Sequence, residues 1–394
     1  MRSSMVVCVL LPRFTLVTAA GGREALAAGP AALAPEPGRE QLIGEVSAAA
    51  ESHGVHPGMR LGEALARCTR LALIPPDPVG VADAWEGVVT RLESVGAQVE
   101  ASVPGAACFE ADGLRRLHGG SLDGVVAAVR RVIAVPARIG AGPSRFCAHT
   151  GAARARSRRA EIVRGEEDLR AAPVSMLRAV PETAGLVEPL EQLGLGTLGA
   201  LARLERSVLA DRFGRAGERA WDLARGRDTP LRPRVPGELH QEELELVESA
   251  SGEQLGRALE LLVDRLVARR ERNGRTLRVV VLSARLVEGG TWRERMVFRE
   301  PLAHAGRMRL VLAQRLATLP APAEALRLSV ERFGPPHQAG RALFEDSAAA
   351  RRGRLREAVK QARAAAGPDA ALRVLAVDPD SRVPERRAVL TPFE

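Results

Sequence analysis

The sequence predicts an α+β fold that is divided into several domains, and three observations support this prediction. A chain of 394 residues is too long for one compact core and suggests two to four domains. Between residues 5 and 165, short strand patterns alternate with helical patterns around a small helical insertion. From residue 238, the order strand, helix, strand, strand, helix, strand is typical of the ferredoxin-like split βαβ motif.

The first 165 residues predict a layer of strands and helices with an inserted subdomain. Residues 5–11 form an apolar run that ends at Pro12, which predicts a buried strand. Helical patterning over residues 40–54 and 60–68 indicates the insertion. The other predicted elements are strands at 71–78, 97–105, 106–112 and 137–144, and helices at 81–96 and 122–133.

The rest of the chain predicts a helical region and then the second α+β domain. Residues 166–226 read as short helices separated by turn glycines, and residues 227–237 contain three prolines and three arginines, which is typical of a linker. The second domain predicts strands at 242–249, 275–290, 291–301 and 324–334, and helices at 252–272 and 305–319. The last sixty residues predict a loop, a basic helix at 348–366 and an irregular end.

The charge balance permits a nucleic-acid partner. The formal net charge is +9 with a pI near 10.8, and Lys360 is the only lysine, so the other basic residues are all arginine. This skew, together with abundant alanine and glycine, is also the result expected of a GC-rich coding sequence. The positions of the arginines are therefore more informative than their number.

The composition also argues against a membrane protein and against a protein that is stabilised by disulfides. No segment approaches eighteen uncharged apolar residues, so a cytoplasmic protein without a membrane partner is expected. The cysteines have no CxxC spacing and no matching histidines, so we expect small core residues rather than a zinc site or disulfides. They are Cys8, Cys68, Cys108 and Cys147.

Four segments and their order resemble the Y-family translesion DNA polymerases over residues 5–335. The segment ESHGVHPGM (51–59) resembles the fingers motif that ends in Gly-Val-x-x-Gly-Met. RIGAGPSRFCAHTGAARA (138–155) resembles the palm segment after the third strand. LEQLGLGTLGALARL (190–204) resembles the helix-hairpin-helix of the thumb, and residues 211–234 resemble the end of the thumb and the tether.

The resemblance implies a complete division into domains. It predicts a palm-like domain, a small fingers-like insertion, a helical thumb-like domain, a linker, a ferredoxin-like little-finger domain and a C-terminal tail. Their predicted bounds are 1–20 with 71–165 for the palm, 21–70 for the fingers, 166–230 for the thumb, 231–238 for the linker, 239–334 for the little finger and 335–394 for the tail.

The catalytic acids of the family are missing at the matching positions. Its members join nucleotides with two Mg²⁺ ions that carboxylates hold about 4 Å apart. The resemblance places the family's Asp-x-Asp on Leu10-Leu11-Pro12 and its Asp-Glu in the turn Ser102-Val103-Pro104-Gly105. We therefore expect no metal, no cofactor and no catalytic residue, with degenerate positions at Leu10, Pro12, Pro104 and Gly105.

The nucleotide pocket of the family is degenerate as well. A Tyr-x-Ala-Arg element in the fingers contacts the incoming triphosphate in the family, and the resemblance places it at Ala48 and Glu51. A glutamate repels a triphosphate, whereas an arginine pairs with it in a bidentate manner. The chain has no tyrosine at all.

This pattern resembles the inactive ImuB-type branch, in which Pro-Gly replaces the acids within PGAACFEADGLRRLHGG (104–120). The resemblance implies a DNA-repair adaptor that brings an error-prone C-family DNA polymerase and a RecA-like accessory protein to the sliding clamp on damaged DNA. Two alternatives stay open. One is a weakly active polymerase that uses displaced carboxylates, with Glu100, Glu110 and Asp112 as candidates; the other is a DNA-binding protein without polymerase partners.

Two surface features are candidates for binding. Arginines clustered around RLVARRERNGRTLR, with others on the neighbouring strands, suit phosphate oxygens, although a solvated face of Arg-Glu pairs explains them as well. The candidates for DNA binding are Arg265, Arg269, Arg270, Arg272, Arg275, Arg278, Arg293 and Arg295. In HQAGRALFED (337–346), Gln338, Leu343 and Phe344 fit the spacing of a clamp-binding peptide, although the Leu-Phe pair could instead dock on its own domain.

Overall fold

The computed structural model describes two separate units of the chain, Met1–Pro335 and Pro336–Glu394. In the first unit the described residues are 5–36, 38, 40–133, 135–156, 159–235, 240–269, 272–287 and 289–335. In the second they are 336, 355, 358–359, 363, 367 and 370–392. Within the described residues no helix is long and apolar enough to cross a membrane.

A five-stranded sheet, the first sheet, forms the centre of the N-terminal part. Its strand order is β4-β5-β1-β6-β7, and β1 pairs antiparallel with both β5 and β6. The strands predicted at 5–11, 97–105, 106–112 and 137–144 are all present. The strands are β1 (Val6–Leu10), β4 (Glu100–Val103), β5 (Ala106–Glu110), β6 (Arg138–Gly142) and β7 (Glu161–Ile162).

Helices cover both faces of the first sheet, which explains why β1 is apolar throughout. Alternate residues of a strand point to opposite faces. Val7 and Val9 therefore join the core formed with the helices α4 (Pro78–Glu93) and α6 (Leu122–Ile133). Val6 and Cys8 contact the core formed with α7 (Arg145–Arg154). The shorter helices are α1 (Phe14–Ala19) and α5 (Asp112–Arg115). The four cysteines are all buried and free, as expected.

The insertion is less helical than predicted. It contains β2 (Ala31–Leu33), which pairs parallel with β3 (Ala72–Ile74), and the helices α2 (Ala48–Ser52) and α3 (Leu61–Arg67). The helix predicted over 40–54 is wrong for its first half, because Ser47 caps α2 and the preceding residues bridge to β2. The buried residues Ile43, Val46 and Ala50 have helical spacing, which explains the error.

Residues 166–226 form the predicted helical region around one apolar core. The two helices predicted on either side of Gly214 run together as α12, and Gly214 interrupts them with a φ of 59°. Thr197 caps α11 by accepting a hydrogen bond from the Ala200 amide at 3.2 Å. The helices are α8 (Glu166–Leu169), α9 (Pro181–Ala184), α10 (Val187–Gln192), α11 (Leu198–Ala202) and α12 (Arg206–Ala224), with a 3-10 helix at Val174–Ala179.

A four-stranded sheet, the second sheet, follows with the strand order β10-β9-β11-β8. Each crossover helix joins two strands that have one other strand between them, so the predicted split βαβ order is confirmed. Both helices pack on one face of the sheet. The elements are β8 (His240–Ala250), α13 (Gly252–Ala268), β9 (Arg275–Leu286), β10 (Thr291–Leu302), α14 (Ala305–Leu316) and β11 (Ala323–Pro336).

The second unit contains a two-stranded antiparallel hairpin, β12 (Leu372–Ala376) with β13 (Ala388–Pro392). The expectation of an irregular end is therefore wrong, because the alternation of valine, leucine and arginine there is a strand pattern. Most of the predicted basic helix at 348–366 lies outside the described residues. The described positions Leu355, Ala358, Val359 and Arg363 are helical.

Residues 227–235 form no helix or strand, and an ion-pair network holds them to the first sheet. The fully buried carboxylate of Asp228 accepts hydrogen bonds from the Phe146 amide at 3.1 Å and from Arg145 Nη2 at 3.3 Å, and it also pairs with Arg219. Arg234 donates to Glu93 at 2.7 and 2.9 Å and to Glu86 at 2.6 Å. The segment is thus fixed by charged contacts, together with the packing of Leu231 against the core beside α7.

We predict that Asp228→Ala lowers the free energy of unfolding by about 3 kcal/mol, because two part-buried guanidinium groups lose a common counter-ion. Urea denaturation measures this change. Glu167→Ala, which removes an exposed ion-pair partner of Arg170, is the matched control and should cost less than about 1 kcal/mol. Equal effects of the two substitutions would contradict a stabilising role of the network.

Candidate functional site

The two segments that resemble catalytic motifs meet at one place, which we call the β1 corner and define by residues 10–12 and 103–105. In the register of β1 with β5, Leu10 lies opposite Ala106. The Leu11 amide donates a hydrogen bond to the Gly105 carbonyl at 2.8 Å. Gly105 has a φ of +92°, a left-handed conformation that favours glycine. The fold therefore brings the two segments together, as the resemblance implies.

The side chains of the β1 corner are apolar, and the residue that follows it, Arg13, is cationic. Leu11 is buried, and Phe14 packs edge-on against Trp85 with ring centroids 5.3 Å apart. Arg13 follows Pro12 in a left-handed conformation, and its guanidinium donates to the Val46 carbonyl at 2.7 Å. Aliphatic and proline side chains offer no oxygen ligand, and a guanidinium repels a divalent cation. The residues at this corner therefore do not fit a pair of Mg²⁺ ions.

Glu100 is the nearest candidate for a displaced ligand, but its carboxylate is already engaged. It is buried on β4, where it pairs with Arg145 and accepts a hydrogen bond from the Arg232 amide. Burial lowers the pKa of Arg145, but Asp228 and Glu100 raise it by more, so this guanidinium stays charged. Glu100 therefore contributes to the network that anchors residues 227–235.

Glu110 and Asp112 lie at the opposite end of the first sheet. Glu110 pairs with Val6, whereas the β1 corner begins at Leu10. Four residues of strand separate the two ends by about 13 Å. Asp112 accepts a hydrogen bond from the Met5 amide at 3.1 Å, which fixes it beyond the start of β1. Among the residues that the structure describes, no group of three or more His, Cys, Asp or Glu side chains could hold a metal ion.

A cleft of about 520 Å³ lies next to the β1 corner, and the sequence reasoning did not find it. Ser47 and Ala48 line one side, so the degenerate nucleotide position Ala48 does face a cleft. Glu51 is exposed and pairs with Arg13 at 2.6 Å. The cleft is also lined by Arg13, Arg23, Arg138 and Arg156. These arginines come from two stretches, 13–23 and 138–156, that are more than a hundred residues apart in the sequence, so no local motif could reveal them.

The predicted DNA-binding arginines divide into two groups. The first group surrounds the end of α13 and the start of β9, at one end of the second sheet. Arg269 pairs with Glu242, Arg272 donates to the Ala303 carbonyl at 3.4 Å, and Arg278 donates to the Arg299 carbonyl. Arg275 lies over the Phe333 ring at 4.0 Å, and Arg265 is exposed on α13. Arg270 lies outside the described residues.

The second group lies on the face of the second sheet that the helices leave open. Met296 and Phe298 of β10 point into the core, so alternation turns Arg293 and Arg295 to the other face. Arg295 forms a bidentate pair with Glu331 at 2.7 and 2.9 Å. Arg293 approaches Asp83 of α4 at 3.8 Å. Pairing of these arginines with carboxylates was one of the two explanations that the sequence left open, but the partners Glu331 and Asp83 were not predicted.

Two other arginines of the open face have carboxylate partners. Arg285 pairs with Glu245 at 2.6 Å and with Glu324 at 3.4 Å. Arg327 pairs with Glu243 at 3.0 Å and approaches Asp83 at 3.7 Å.

The predicted clamp-binding residues Gln338, Leu343 and Phe344 all lie outside the described residues.

A family model matches most of the region around the β1 corner. Residues 11–152 match the impB/mucB/samB family. This match and the mixed α/β architecture confirm the Y-family polymerase-like fold class that the sequence predicts. The matched range includes the insertion, the β4–β5 turn and α7, but not the second sheet.

Similar full-length proteins include three bacterial polymerases. DNA polymerase IV 1 of Mesorhizobium japonicum is 28% identical over 48% of this chain and 45% of its own length. DNA polymerase IV of Pseudomonas entomophila is 27% identical over 52% and 58%, and that of Brucella melitensis is 26% identical over 49% and 44%. The chain thus spans about half the length of these relatives. Among solved structures, the Y-family DNA polymerase chimera Dbh-Dpo4(243-245)-Dbh matches 84% of this chain at 12% identity with a TM-score of 0.46.

Proposed function

We propose that this chain is a catalytically inactive, Y-family polymerase-like protein that binds DNA and acts as an adaptor in translesion repair. The observation that carries the proposal is the composition of the β1 corner. Leu10, Leu11 and Pro12 meet Pro104 and Gly105 there, and all of these except Leu10 lie in the range that matches the impB/mucB/samB family. A two-metal polymerase site needs converging carboxylates at this place.

The geometry also weighs against a weakly active polymerase with displaced acids. Glu100 has two partners of its own, and Glu110 and Asp112 lie at the far end of β1. Glu110 and Asp112 cannot reach the β1 corner without a change in the register of β1 with β5. Such a change would move the buried residues of β1 to the opposite face of the sheet.

The proposed partners follow from the resemblance to the ImuB-type branch. They are the sliding clamp, an error-prone C-family DNA polymerase and a RecA-like accessory protein, with the C-terminal peptide around Gln338 as the clamp contact. The proposed DNA contacts are the arginines of the second sheet. A cytoplasmic location, expected from the composition, stays a prediction.

Primer extension tests the absence of catalysis. We predict no extension above background by the full chain with Mg²⁺ or Mn²⁺, because no ligand set at the β1 corner holds the metal ions. A DNA polymerase IV assayed in parallel is the positive control. Extension that is lost in Glu110→Ala/Asp112→Ala or in Glu100→Gln would overturn the proposal and would identify the displaced acids.

DNA binding is tested by the salt dependence of affinity for duplex DNA. If six phosphates are engaged, the slope of log affinity against log salt should be about −5. We predict that Arg265→Gln/Arg278→Gln makes the slope less negative by about two, with equal weakening on unrelated sequences, because phosphate contacts carry no base readout. Arg170→Gln, an exposed arginine of the helical region, removes the same kind of charge as a control. An unchanged slope in the double variant would remove these residues from the interface.

The clamp contact is tested by capture on an immobilised sliding clamp. We predict that Gln338→Ala/Phe344→Ala lowers recovery at least tenfold, because the glutamine hydrogen bonds and the aromatic anchor are lost together. Substitution of Leu375 and Leu390, which are exposed on the C-terminal hairpin, by alanine serves as the control. Equal recovery of the wild type and the peptide variant would remove the assignment and favour a DNA-binding protein without this partner.

A further inference from the structure

The open face of the second sheet is in contact with α4 of the first sheet. Asp83, in the second turn of α4, lies 3.8 Å from Arg293 and 3.7 Å from Arg327. At the N-cap of α4, the Thr291 hydroxyl donates to the Asp77 carboxylate at 2.8 Å. Three polar contacts thus join the N-terminal end of α4 to the strands β10 and β11.

The sequence of α4 is adapted to this contact. Val81, Trp85 and Val88 are buried toward the first sheet, and Asp83 is on the side that faces the second sheet. A side chain at Gly80 would place its Cβ 2.5 Å from the Thr291 hydroxyl. The Asp77 carboxylate would lie still closer to that Cβ, so the glycine leaves room for the hydrogen bond between Thr291 and Asp77.

The contact is polar and leaves much space unfilled. A cleft of about 1150 Å³ beside it is lined by residues of both partners, among them Gly87 and Val88 on one side and Ser283 and Ala325 on the other. The side chains of Arg293, Arg327 and Asp83 are 40%, 23% and 24% exposed, and ion pairs that are open to solvent contribute little to stability. Burial raises the pKa of Asp83, while Arg327 and Arg293 lower it. A few polar contacts thus join the two sheets, and another anion can displace Asp83 from its arginine partners.

We propose that Asp83 is a latch that occupies the arginines of the open face in place of DNA phosphates, so that duplex DNA binds this face only after α4 separates from it. The carboxylate and a phosphate compete for the same guanidinium donors of Arg293 and Arg327. A duplex and α4 cannot both contact these side chains. This inference rests on the proposed DNA-binding function.

Asp83→Asn tests the latch by the affinity for duplex DNA at fixed salt. Removal of the charge should raise the affinity at least about threefold, because the closed form loses two ion pairs. Asp264→Asn is the matched control, since Asp264 pairs with Arg309 on the helical side of the second sheet and carries the same charge. Equal affinities of the two variants would show a general charge effect and would overturn the latch.

A disulfide-locked variant gives an independent test. The Asp77 carboxylate and the Thr291 hydroxyl are 2.8 Å apart, so Asp77→Cys/Thr291→Cys brings two thiols near each other, and non-reducing electrophoresis shows whether oxidation joins them and holds the sheets closed. The native cysteines are buried, which limits competing pairs. We expect the oxidised form to lose at least tenfold in DNA affinity and the reduced form to recover it, and we expect DNA to slow the oxidation.

The outcomes separate the latch from the proposed function. If the oxidised, reduced and Asp83→Asn forms all bind DNA equally, the latch is wrong while DNA binding stands. If none of these forms binds duplex DNA at low salt, DNA binding itself is wrong and the latch fails with it. The lock does not depend on the folding of Asp83→Asn, so a misfolded variant still leaves a decisive measurement.

Discussion

The antiparallel pairing of β1 with β5 determines which side chains can act together in this protein. Because the register sets Leu10 opposite Ala106 and Val6 opposite Glu110, the acids of the β5 end cannot share a site with the residues that follow β1. The buried core on both faces of β1 prevents a shift of the register. The five consecutive residue pairs of β1 and β5 therefore determine which side chains of these two strands can lie at one site.

Many arginines in the part of the chain that the structure describes serve as partners for carboxylates. Arg145, Arg219 and Arg234 attach residues 227–235 to the first sheet, and Arg285 and Arg295 pair with glutamates of their own sheet. The planar guanidinium suits such bidentate contacts. The formal charge of +9 therefore does not tell how many arginines could bind a polyanion directly. At the paired arginines, a polyanion would first have to displace a protein carboxylate.

The order of strands and helices was predictable because the relevant signals are local. Apolar runs and alternation identified β1, β5, α6 and the βαββαβ order, since each element buries one continuous face. The segment 40–47 was mispredicted because Ile43 and Val46 have helical spacing but pack as extended chain against β2. The arginine cleft and the Asp83 contact could not be predicted, since their members lie tens to hundreds of residues apart and only the fold brings them together.

A polymerase must place a primer end within a few ångströms of its metal ions, so its DNA-binding domain has to hold one fixed position during catalysis. A chain without these ions is free of that requirement. Its second sheet can then rest against α4 in the absence of DNA, at no cost to a chemical step. Under the proposed function, the apolar β1 corner and the Asp83 contact are consistent with each other, because a chain that holds no metal ions at this corner is under no selection against a closed arrangement at α4.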